Sequence, residues 1–435
     1  MTDEGLRLAP FRGLRYAPGR VSSLAAVTSP PYDVVVRPDG LRHLETADPY
    51  NIVRLILPQA EDPADPAARH RRAAETLRRW RADGVLAHDP EPAVYVYEQR
   101  KGELLQRGVI GALSLSPPEA GIVLPHEEVI AEVVEDRAAL MRETAANPEP
   151  LLLSYRGSGT RTGATAVIER TIARPPLVAT TTEDGFAHRL WAVTDAAELA
   201  EIDADLSRHR ALIADGHHRW ATYLRLREEH SGPAANGAVN GSSPWNYGLV
   251  LLVDTARYPL QVRAIHRVLP RLPLKQALDL LDRAEKGFRV RKFEAPLDEA
   301  LEELADTPGN AFLLTEGDGV FHLLDRPSPL LLERTIAHDR PCAWRELDAT
   351  VLHHALLDGL LRVPDRPDTI GYLHHTEAAV AQAATHGGTA VLMRAVPEET
   401  VRSLAEQGVT MPRKSTSFGP KPATGLILRT VDTPS

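Results

Sequence analysis

The segment from Ala211 to Glu229 joins an apolar run, a glycine and an amphipathic stretch without a break. Leu212-Ile213-Ala214 has the composition of a short buried strand, and the residues from His217 to about Glu229 have apolar side chains at helical spacing. Gly216 separates the two, so the pattern predicts a strand-to-helix corner. A strand that turns directly into a helix belongs to a layered α/β architecture, and this corner is therefore the strongest constraint on the fold.

The corner also concentrates chemistry, because Asp215, His217, His218 and Arg219 surround Gly216. The first N–H groups of a helix lack partners and lie at the positive end of its dipole, which favours a bound phosphate or other anion. Gly216 lets the backbone approach a ligand, Arg219 can bind phosphate with its planar fork, and the histidines can donate hydrogen bonds or protons. The structural alternative is that Asp215 is only an N-cap and the others form a solvated first turn.

The composition describes an ordinary globular chain of 435 residues, 43% hydrophobic and 25% charged, which is long enough for two or three packed layers or domains. The formal net charge of −9 argues against nonspecific nucleic-acid binding, which needs a basic surface. The single cysteine, Cys342, excludes an internal disulfide framework and a cysteine-based zinc cluster, and we expect it to be a buried apolar side chain.

The first residues are acidic, and no apolar run approaches the ~20 residues that span a bilayer. We therefore expect a cytoplasmic protein without a membrane partner.

Strand and helix signals alternate along the chain. They predict a strand at Asn51–Leu57, a helix at Ala67–Ala82, a hairpin of Ala93–Glu98 with Val109–Leu115, a helix entered at His126–Val129 and continued to Asn147, a strand at Pro150–Tyr155, a helix started by Asp195 and a strand at Tyr247–Val253. The fold class predicted is mixed α/β (α+β). The domain boundaries predicted are 1–122 for an N-terminal α/β segment, 123–230 for the core, 231–244 for a flexible loop and 245–435 for a C-terminal α/β domain.

Two further segments carry candidate functional residues. Glu127 and Glu128 follow His126 at the predicted helix entrance, where a carboxylate suits general-base work or merely favours the helix dipole. The segment 411–421 is basic, rich in hydroxyls and aperiodic. Lys414-Ser415 resembles the end of a phosphate-binding loop without the upstream glycines, and we expect Lys414, Ser415 and Lys421 to face the same anion as the corner.

The chain resembles the bacterial and archaeal family named domain of unknown function 1015. The matching motifs are Pro30-Pro31-Tyr32-Asp33-Val34, Asn51-Ile52-Val53-Arg54-Leu55, His126-Glu127, Asp136-Arg137, Ala214-Asp215-Gly216-His217-His218-Arg219, Ile265-His266-Arg267 and Met411-Pro412-Arg413-Lys414-Ser415-Thr416.

A second resemblance, over residues 123–228, is to the free serine kinases of the ParB/sulfiredoxin-like superfamily. It rests on His126-Glu127-Glu128-Val129 and on Asp215-Gly216-His217-His218-Arg219. The resemblance implies a ParB/sulfiredoxin-like core with extra α/β segments on both sides. It also implies the catalytic residues Glu127, Asp215 and His217, with Glu127 as the base and Asp215 orienting the hydroxyl or a Mg²⁺ ion. Gly216, His217, His218 and Arg219 would hold the phosphates of ATP or ADP.

The leading hypothesis is a nucleotide-dependent kinase for a small hydroxylated metabolite, with free L-serine as the best guess. Phosphoryl transfer needs positioning, charge neutralisation and a proton acceptor, which these residue types supply. The alternatives are a ParB-like switch that binds or hydrolyses a nucleotide, and a noncatalytic metabolite sensor. Nucleic acid is not an expected partner, and a homo-oligomer is compatible with the sequence.

Overall fold

The computed structural model describes residues 5–35, 38–60, 65, 67–159, 162–231, 243–284, 287–366 and 368–431. The chain forms two compact units. Unit 1 comprises the described residues of Met1–Pro125, Val129–Leu260 and Pro420–Ser435, and unit 2 comprises those of His126–Glu128 and Gln261–Gly419. Along the sequence, the long segment Gln261–Gly419 of unit 2 therefore lies between two segments that belong to unit 1.

The strands, in chain order, are β1 Leu8–Ala9, β2 Leu14–Tyr16, β3 Leu86–His88, β4 Val94–Lys101, β5 Leu104–Ser114, β6 Val123–Leu124, β7 Ala146–Asn147, β8 Leu151–Tyr155, β9 Val178–Thr181, β10 Ala187–Val193, β11 Ala211–Asp215, β12 Tyr247–Asp254, β13 Gln261–Arg263, β14 His266–Leu269, β15 Arg289–Glu294, β16 Ala311–Thr315, β17 Val320–Asp325, β18 Gly371–Leu373, β19 Thr389–Leu392, β20 Ser417–Gly419 and β21 Arg429–Thr430.

The α-helices are α1 Leu24–Val27, α2 Pro38–Ala47, α3 Val53–Ile56, α4 Ala68–Ala82, α5 Ala131–Thr144, α6 Gly163–Thr171, α7 Ala196–Leu206, α8 His217–Glu229, α9 Leu274–Arg283, α10 Leu297–Asp306, α11 Pro329–Thr335, α12 Cys342–Arg345, α13 Asp348–Thr350, α14 Thr376–His386 and α15 Glu398–Glu406. A π-helix, Val351–Leu360, follows α13.

A mixed sheet forms the centre of unit 1. Its strand order is β6-β11-β8-β12-β5-β4-β10-β9, and β1 also pairs with β5. The pairs β6/β11 and β8/β12 are parallel, whereas the hairpin β4/β5 and its neighbours are antiparallel. The central strand β12 is buried along almost its whole length, as expected for a strand covered on both faces. Leu252 of β12 belongs to the hydrophobic core of unit 1 and pairs with Val109 of β5 and Leu153 of β8.

A second apolar cluster in unit 1 surrounds Trp80 of α4, which is 1% exposed. This cluster includes residues from both the beginning and the end of the described chain, because Leu14 and Leu428 belong to it and their backbones hydrogen-bond to each other. The residues that follow unit 2 in sequence are therefore part of the core of unit 1.

Unit 2 contains a second sheet with the strand order β15-β17-β16-β19-β14-β18. All of its pairings are antiparallel. The apolar side chains of α10 and α14 pack on it, including Ala300, Leu304, Ala379 and Ala383. A separate ribbon pairs β13 with β20.

The predicted mixed α/β fold class is confirmed, and most strong periodic signals correspond to observed elements. The hairpin, α4, β8, β12 and α8 all form close to their predicted bounds. Asp195 caps α7 as its motif predicts, since its side chain accepts hydrogen bonds from the backbone N–H groups of Ala197 and Glu198. The domain boundaries remain a prediction, and residues 232–242 of the predicted flexible loop lie outside the described residues.

The predicted strand at Asn51–Leu57 is wrong, because this segment contains the short helix α3. The Asn51 side chain accepts a hydrogen bond from the Val53 N–H and donates to the carbonyls of Ala26 and Thr28. The local bond from Val53, together with the long-range bonds to Ala26 and Thr28, favours a helical turn over the strand propensity of the apolar residues.

Two other expectations are also wrong. Helix α5 begins at Ala131, so Glu127 precedes it by several residues and does not stand at a helix entrance. Cys342 is exposed at the start of α12 rather than buried.

Over the described ranges, no helix has the length and apolar character needed to cross a membrane.

We predict that Leu252→Ala lowers the free energy of unfolding of unit 1 by about 2 to 5 kcal/mol, because it leaves a cavity in a fully buried strand. Urea unfolding measures the loss. The matched control is Leu177→Ala in the same unit, because Leu177 is 45% exposed and its truncation should change the unfolding midpoint little. Equal losses in the two variants would contradict this assignment of the core.

Candidate functional site

The strand-to-helix corner forms where the sequence predicts it, between β11 and α8. Gly216 occupies the N-cap position of α8 with φ 101°, a left-handed conformation that disfavours other residues. A Cβ atom at Gly216 would lie 3.1 Å from Leu151 Cγ and 3.2 Å from Arg219 Nε. The glycine is therefore required both by its backbone conformation and by the side chains packed against it.

A register shift at the end of β11 determines where Asp215 points. Ile213 is opposite Leu153 of β8, and Asp215 is opposite the next residue, Leu152, so Ala214 is an extra residue on β11. Such a bulge changes the side to which the following residue is directed. Asp215 is thus placed beside the first turn of α8, where its Oδ2 accepts a hydrogen bond from Arg219 Nη2 at 2.7 Å.

Lys421 is the second cation that contacts Asp215. Its Nζ lies 2.6 Å from Asp215 Oδ1 and also forms an ion pair with Asp33 Oδ2. We call Asp33, Asp215, Arg219 and Lys421 the ionic cluster; all four belong to unit 1. Lys421 is thus next to Asp215, which is part of what its basic segment led us to expect.

The charges of the ionic cluster shift one another's pKa values. Burial and the neighbouring Asp33 raise the pKa of Asp215 and outweigh Lys421 and Arg219. Burial also acts to raise the pKa of Asp33, but Lys421 and Arg219 outweigh it and lower the pKa. Burial acts to lower the pKa of Lys421, and the two carboxylates reverse this and raise it above its usual value. The amine therefore stays protonated between its partners.

Arg219 is 1% exposed and is held by groups of the protein itself. Nη1 donates to the carbonyl of Pro150 at 3.1 Å and Nη2 donates to Asp215, while Nε lacks a hydrogen-bond partner among the described residues. Burial acts to lower its pKa, but Glu149, Asp215 and Asp33 outweigh this and raise it. The guanidinium is a permanent buried charge, and its role in binding phosphate remains a prediction.

Tyr32 packs against two guanidinium groups. Its ring centroid lies 4.6 Å from Arg137 Cζ and 5.7 Å from Arg219 Cζ, which are cation–π distances. Its backbone N–H donates to Glu149 Oε1 at 2.9 Å. The sequence analysis gave no role to these side chains, although the family motifs contain Tyr32 and Arg137 and thereby signal them.

The two histidines of the corner, His217 and His218, follow Gly216 directly at the start of α8. Burial, with smaller contributions from His218 and Lys421, lowers the pKa of His217 to about 3. His218 Nε2 accepts a hydrogen bond at 3.1 Å from the backbone N–H of Ile130, so this nitrogen carries no proton. Both can take part in hydrogen bonds to a ligand, but the low pKa of His217 means that this residue brings no positive charge to a phosphate at neutral pH.

The other candidate residues come together within unit 2. Glu127 Oε1 accepts a hydrogen bond from the Lys414 N–H at 3.2 Å. The Lys414 side chain is exposed and its backbone has φ 57°, a left-handed conformation for a non-glycine residue. Ser415 is 7% exposed and its hydroxyl donates to the Pro412 carbonyl. It remains a prediction that Glu127, Lys414 and Ser415 bind or react with a ligand.

Arg267 supports the Lys414 turn and was given no role in the sequence analysis. It is fully buried, and its Nη2 donates to the Lys414 carbonyl at 3.0 Å and lies 2.9 Å from His353 Nε2. Burial, only partly offset by Tyr372 and Asp365, lowers its pKa to about 10. The motif Ile265-His266-Arg267 was its only sequence signal.

The described part of the chain contains no group of three or more His, Cys, Asp or Glu side chains arranged around a metal position. The ionic cluster does bring two carboxylates to one point, at Lys421 Nζ. Carboxylate oxygens are the ligands that Mg²⁺ prefers, and Mg²⁺ usually takes only one or two of them from the protein, with water and phosphate as the others. The donor set therefore fits this ion.

The model of a family described as "Protein of unknown function (DUF1015)" matches residues 8–350. The chain belongs to this family, and the resemblance seen in the sequence motifs is confirmed. No curated protein matches the chain in sequence.

Several solved structures are similar to parts of the chain. A conserved hypothetical protein from Pyrococcus furiosus shares 17% identity with a TM-score of 0.34, over 71% of this chain and 92% of its own. A free serine kinase in complex with AMP shares 18% identity with a TM-score of 0.33, over 68% of this chain and 83% of its own. SbnI from Staphylococcus aureus, with a C-terminal truncation, shares 10% identity with a TM-score of 0.33, over 71% and 82%. TM-scores at this level do not establish a common fold, so the ParB/sulfiredoxin-like core remains a prediction.

We predict that Arg219→Met costs about 3 to 5 kcal/mol of unfolding free energy, because it removes the buried positive charge that acts on Asp215 and Glu149 and leaves Asp215 with Lys421 as its remaining cation. Chemical denaturation measures the cost. Arg225→Met in the same helix is the matched control, since Arg225 is 41% exposed and pairs with Glu229 at the surface. A near-neutral Arg219→Met would show that the buried charge is not needed for stability.

A second prediction concerns Asp136, which lies in α5 and holds Arg137 beside Tyr32. Its carboxylate pairs with Arg137, Arg69 and His70. Burial acts to raise its pKa, but His70, Arg137 and Arg69 outweigh this and lower it. The fold therefore prefers the ionised form, so the stabilisation is complete above the unfolded pKa and is lost as the pH falls toward the folded pKa.

Asp136→Asn should accordingly lower stability by about 1 to 3 kcal/mol at pH 7. The difference from wild type should shrink as the pH falls below about 4, where an unfolded aspartate takes up its proton. Urea titrations of both proteins between pH 7 and pH 3 measure it. A difference independent of pH would contradict the electrostatic explanation.

Proposed function

We propose that the protein is a nucleotide-dependent kinase that phosphorylates a small hydroxylated metabolite, with free L-serine as the best guess. The observation that carries the proposal is the ionic cluster at the start of α8, where Asp215, Arg219 and Lys421 surround a glycine corner. Phosphoryl transfer depends mainly on positioned charge, and a helix N-terminus with nearby cations supplies it. The sequence motifs shared with free serine kinases support the same activity.

Each residue has a role in this proposal. Gly216 lets the phosphates of ATP or ADP approach the backbone, and His217 and His218 offer hydrogen bonds. Arg219 contributes a fixed positive potential from inside the protein, and Lys414 and Ser415 are the predicted phosphate ligands of unit 2. Asp215, together with Asp33, would hold Mg²⁺, which supplies charge neutralisation on the phosphate oxygens when bound.

Glu127 is the proposed base that accepts the proton of the substrate hydroxyl. A carboxylate suits this task because it needs only to be within hydrogen-bond reach of the hydroxyl and to be ionised. A hydrogen bond from the Lys414 N–H to Oε1 holds the Glu127 carboxylate beside the turn that contains Lys414 and Ser415. Asp215 would orient the hydroxyl or the ion.

We expect Glu127→Gln to reduce turnover by about 10² to 10⁴-fold, because the amide cannot accept the proton, while nucleotide binding stays unchanged. The assay is phosphorus NMR with Mg²⁺, ATP or ADP and a panel of hydroxylated amino and organic acids that includes L-serine. Glu128→Gln is the matched control, since Glu128 is the exposed neighbouring carboxylate.

A new phosphomonoester signal that depends on Glu127 would establish the kinase and name its substrate. Unchanged turnover in Glu127→Gln would remove the base from the proposal. Nucleotide binding without a phosphorylated product in the wild-type protein would point to the regulatory switch instead, and no nucleotide binding at all would mean that the corner has another ligand.

A further inference from the structure

Lys421 occupies the position in the ionic cluster that a cation ligand would occupy. Asp215 reaches it from the end of β11, and Asp33 reaches it from the loop at residues 31–35. The two carboxylates come from segments far apart in sequence and converge on one nitrogen. Two carboxylates that converge repel each other unless a positive charge lies between them, and here the ammonium group provides that charge.

Arg219 and Lys421, the two cations of the ionic cluster, differ in how freely they can move. Arg219 is 1% exposed and is fixed by Pro150 and Asp215. Lys421 has a side chain that is 22% exposed, and the side chain of Asp33 is 36% exposed, so solvent reaches this end of the cluster. The lysine stem is long and flexible and its ammonium is a point charge without a fixed geometry. Lys421 is therefore the cation that can leave.

We propose that Lys421 is an internal counter-ion which a divalent metal ion displaces from between Asp33 and Asp215. The choice of Mg²⁺ rests on the proposed function, but the exchange itself needs neither nucleotide nor substrate. Both cations require the same carboxylate oxygens, so they exclude each other. The exchange removes one ammonium group from two carboxylates and leaves it free to reach an anionic oxygen of a bound phosphate, a contact that lysine commonly makes.

The ammonium group of Lys421 neutralises the acidic pair before any metal ion binds. With Lys421 in place, Asp33 and Asp215 are neutralised, so a free divalent ion displaces the amine only at a concentration high enough to compete with it. A metal ion that arrives with a nucleotide brings additional phosphate ligands and so gains the affinity to replace the amine. Lys421 would then set the order in which the site is filled.

The first experiment measures Mn²⁺ binding to the nucleotide-free 435-residue chain by electron paramagnetic resonance, at fixed ionic strength. Mn²⁺ is the probe because its free form gives a signal that decreases on binding. We expect Lys421→Met to tighten Mn²⁺ binding by about tenfold or more, because the competing cation is gone. Lys421→Arg retains the charge and should bind Mn²⁺ about as wild type does.

Adding Asp33→Asn to Lys421→Met should abolish the gain, because one of the two carboxylates is lost. The proposal is overturned if Lys421→Met binds Mn²⁺ no more tightly than wild type, or if the gain survives Asp33→Asn.

The second experiment uses the wild-type protein, so it does not depend on the folding of any variant. An amine-reactive ester labels lysines, and mass spectrometry measures the rate at Lys421 with MgCl₂ or with NaCl at equal ionic strength, which controls for salt screening. We expect Mg²⁺ alone to speed labelling of Lys421 several-fold and to leave Lys275, whose side chain is 88% exposed, unchanged. A Lys421 rate that does not respond to Mg²⁺ overturns the proposal.

Failure of the proposed function is distinguishable from failure of the exchange. Neither experiment contains a nucleotide or a substrate. A protein without kinase activity that still shows the Mn²⁺ and labelling results would therefore support the exchange and contradict the proposed function.

Discussion

The buried guanidinium of Arg219 is the charge on which the arrangement of unit 1 depends. Its pKa is raised by three carboxylates, Glu149, Asp215 and Asp33, of which Asp215 accepts its hydrogen bond. Removing a charge from water is expensive unless partners compensate for it, and each partner here comes from a different part of the chain. The pairing therefore couples β11, α8, the segment before β8 and the loop that contains Asp33.

The same charge balance explains why a single lysine is needed beyond Arg219. Glu149, Asp215 and Asp33 stand against the guanidiniums of Arg219 and Arg137, and Lys421 supplies a third positive charge where the cluster meets solvent. Tyr32 completes the arrangement, because its ring lies against the Arg137 and Arg219 guanidiniums while its backbone satisfies Glu149. The site is thus an ionic network assembled from separate segments, rather than a single loop that holds a ligand by itself.

Local signals made the corner predictable. The apolar run, Gly216 and the helical spacing after it determine β11 and α8 without reference to the rest of the chain, and the Asp195 cap is equally local. The strand error at Asn51–Leu57 has the opposite origin, since the Asn51 side chain bonds to residues 26 and 28, which the local pattern does not include.

The partners of the site were hard to predict for the same reason. Sequence spacing could not indicate that Asp33 and Asp215 meet at one amine, or that Glu149 is buried beside Tyr32. The basic composition of residues 411–421 did signal the region of Lys421, but the bulge at Ala214 that directs Asp215 toward it depends on the pairing of β11 with β8. Burial also changed the chemistry of His217, whose low pKa is a property of its surroundings rather than of the residue type.

The return of residues 420–431 to unit 1 has a consequence for the order of events during synthesis. Lys421 and the Leu14–Leu428 pairing reach unit 1 only after residues 261–419 have been translated. Until then the carboxylates of Asp33 and Asp215 lack their ammonium partner and the apolar cluster around Trp80 lacks Leu428. A ribosome-bound intermediate would accordingly hold an incomplete unit 1 while unit 2 is being made, and the ionic cluster would be complete only near the end of translation.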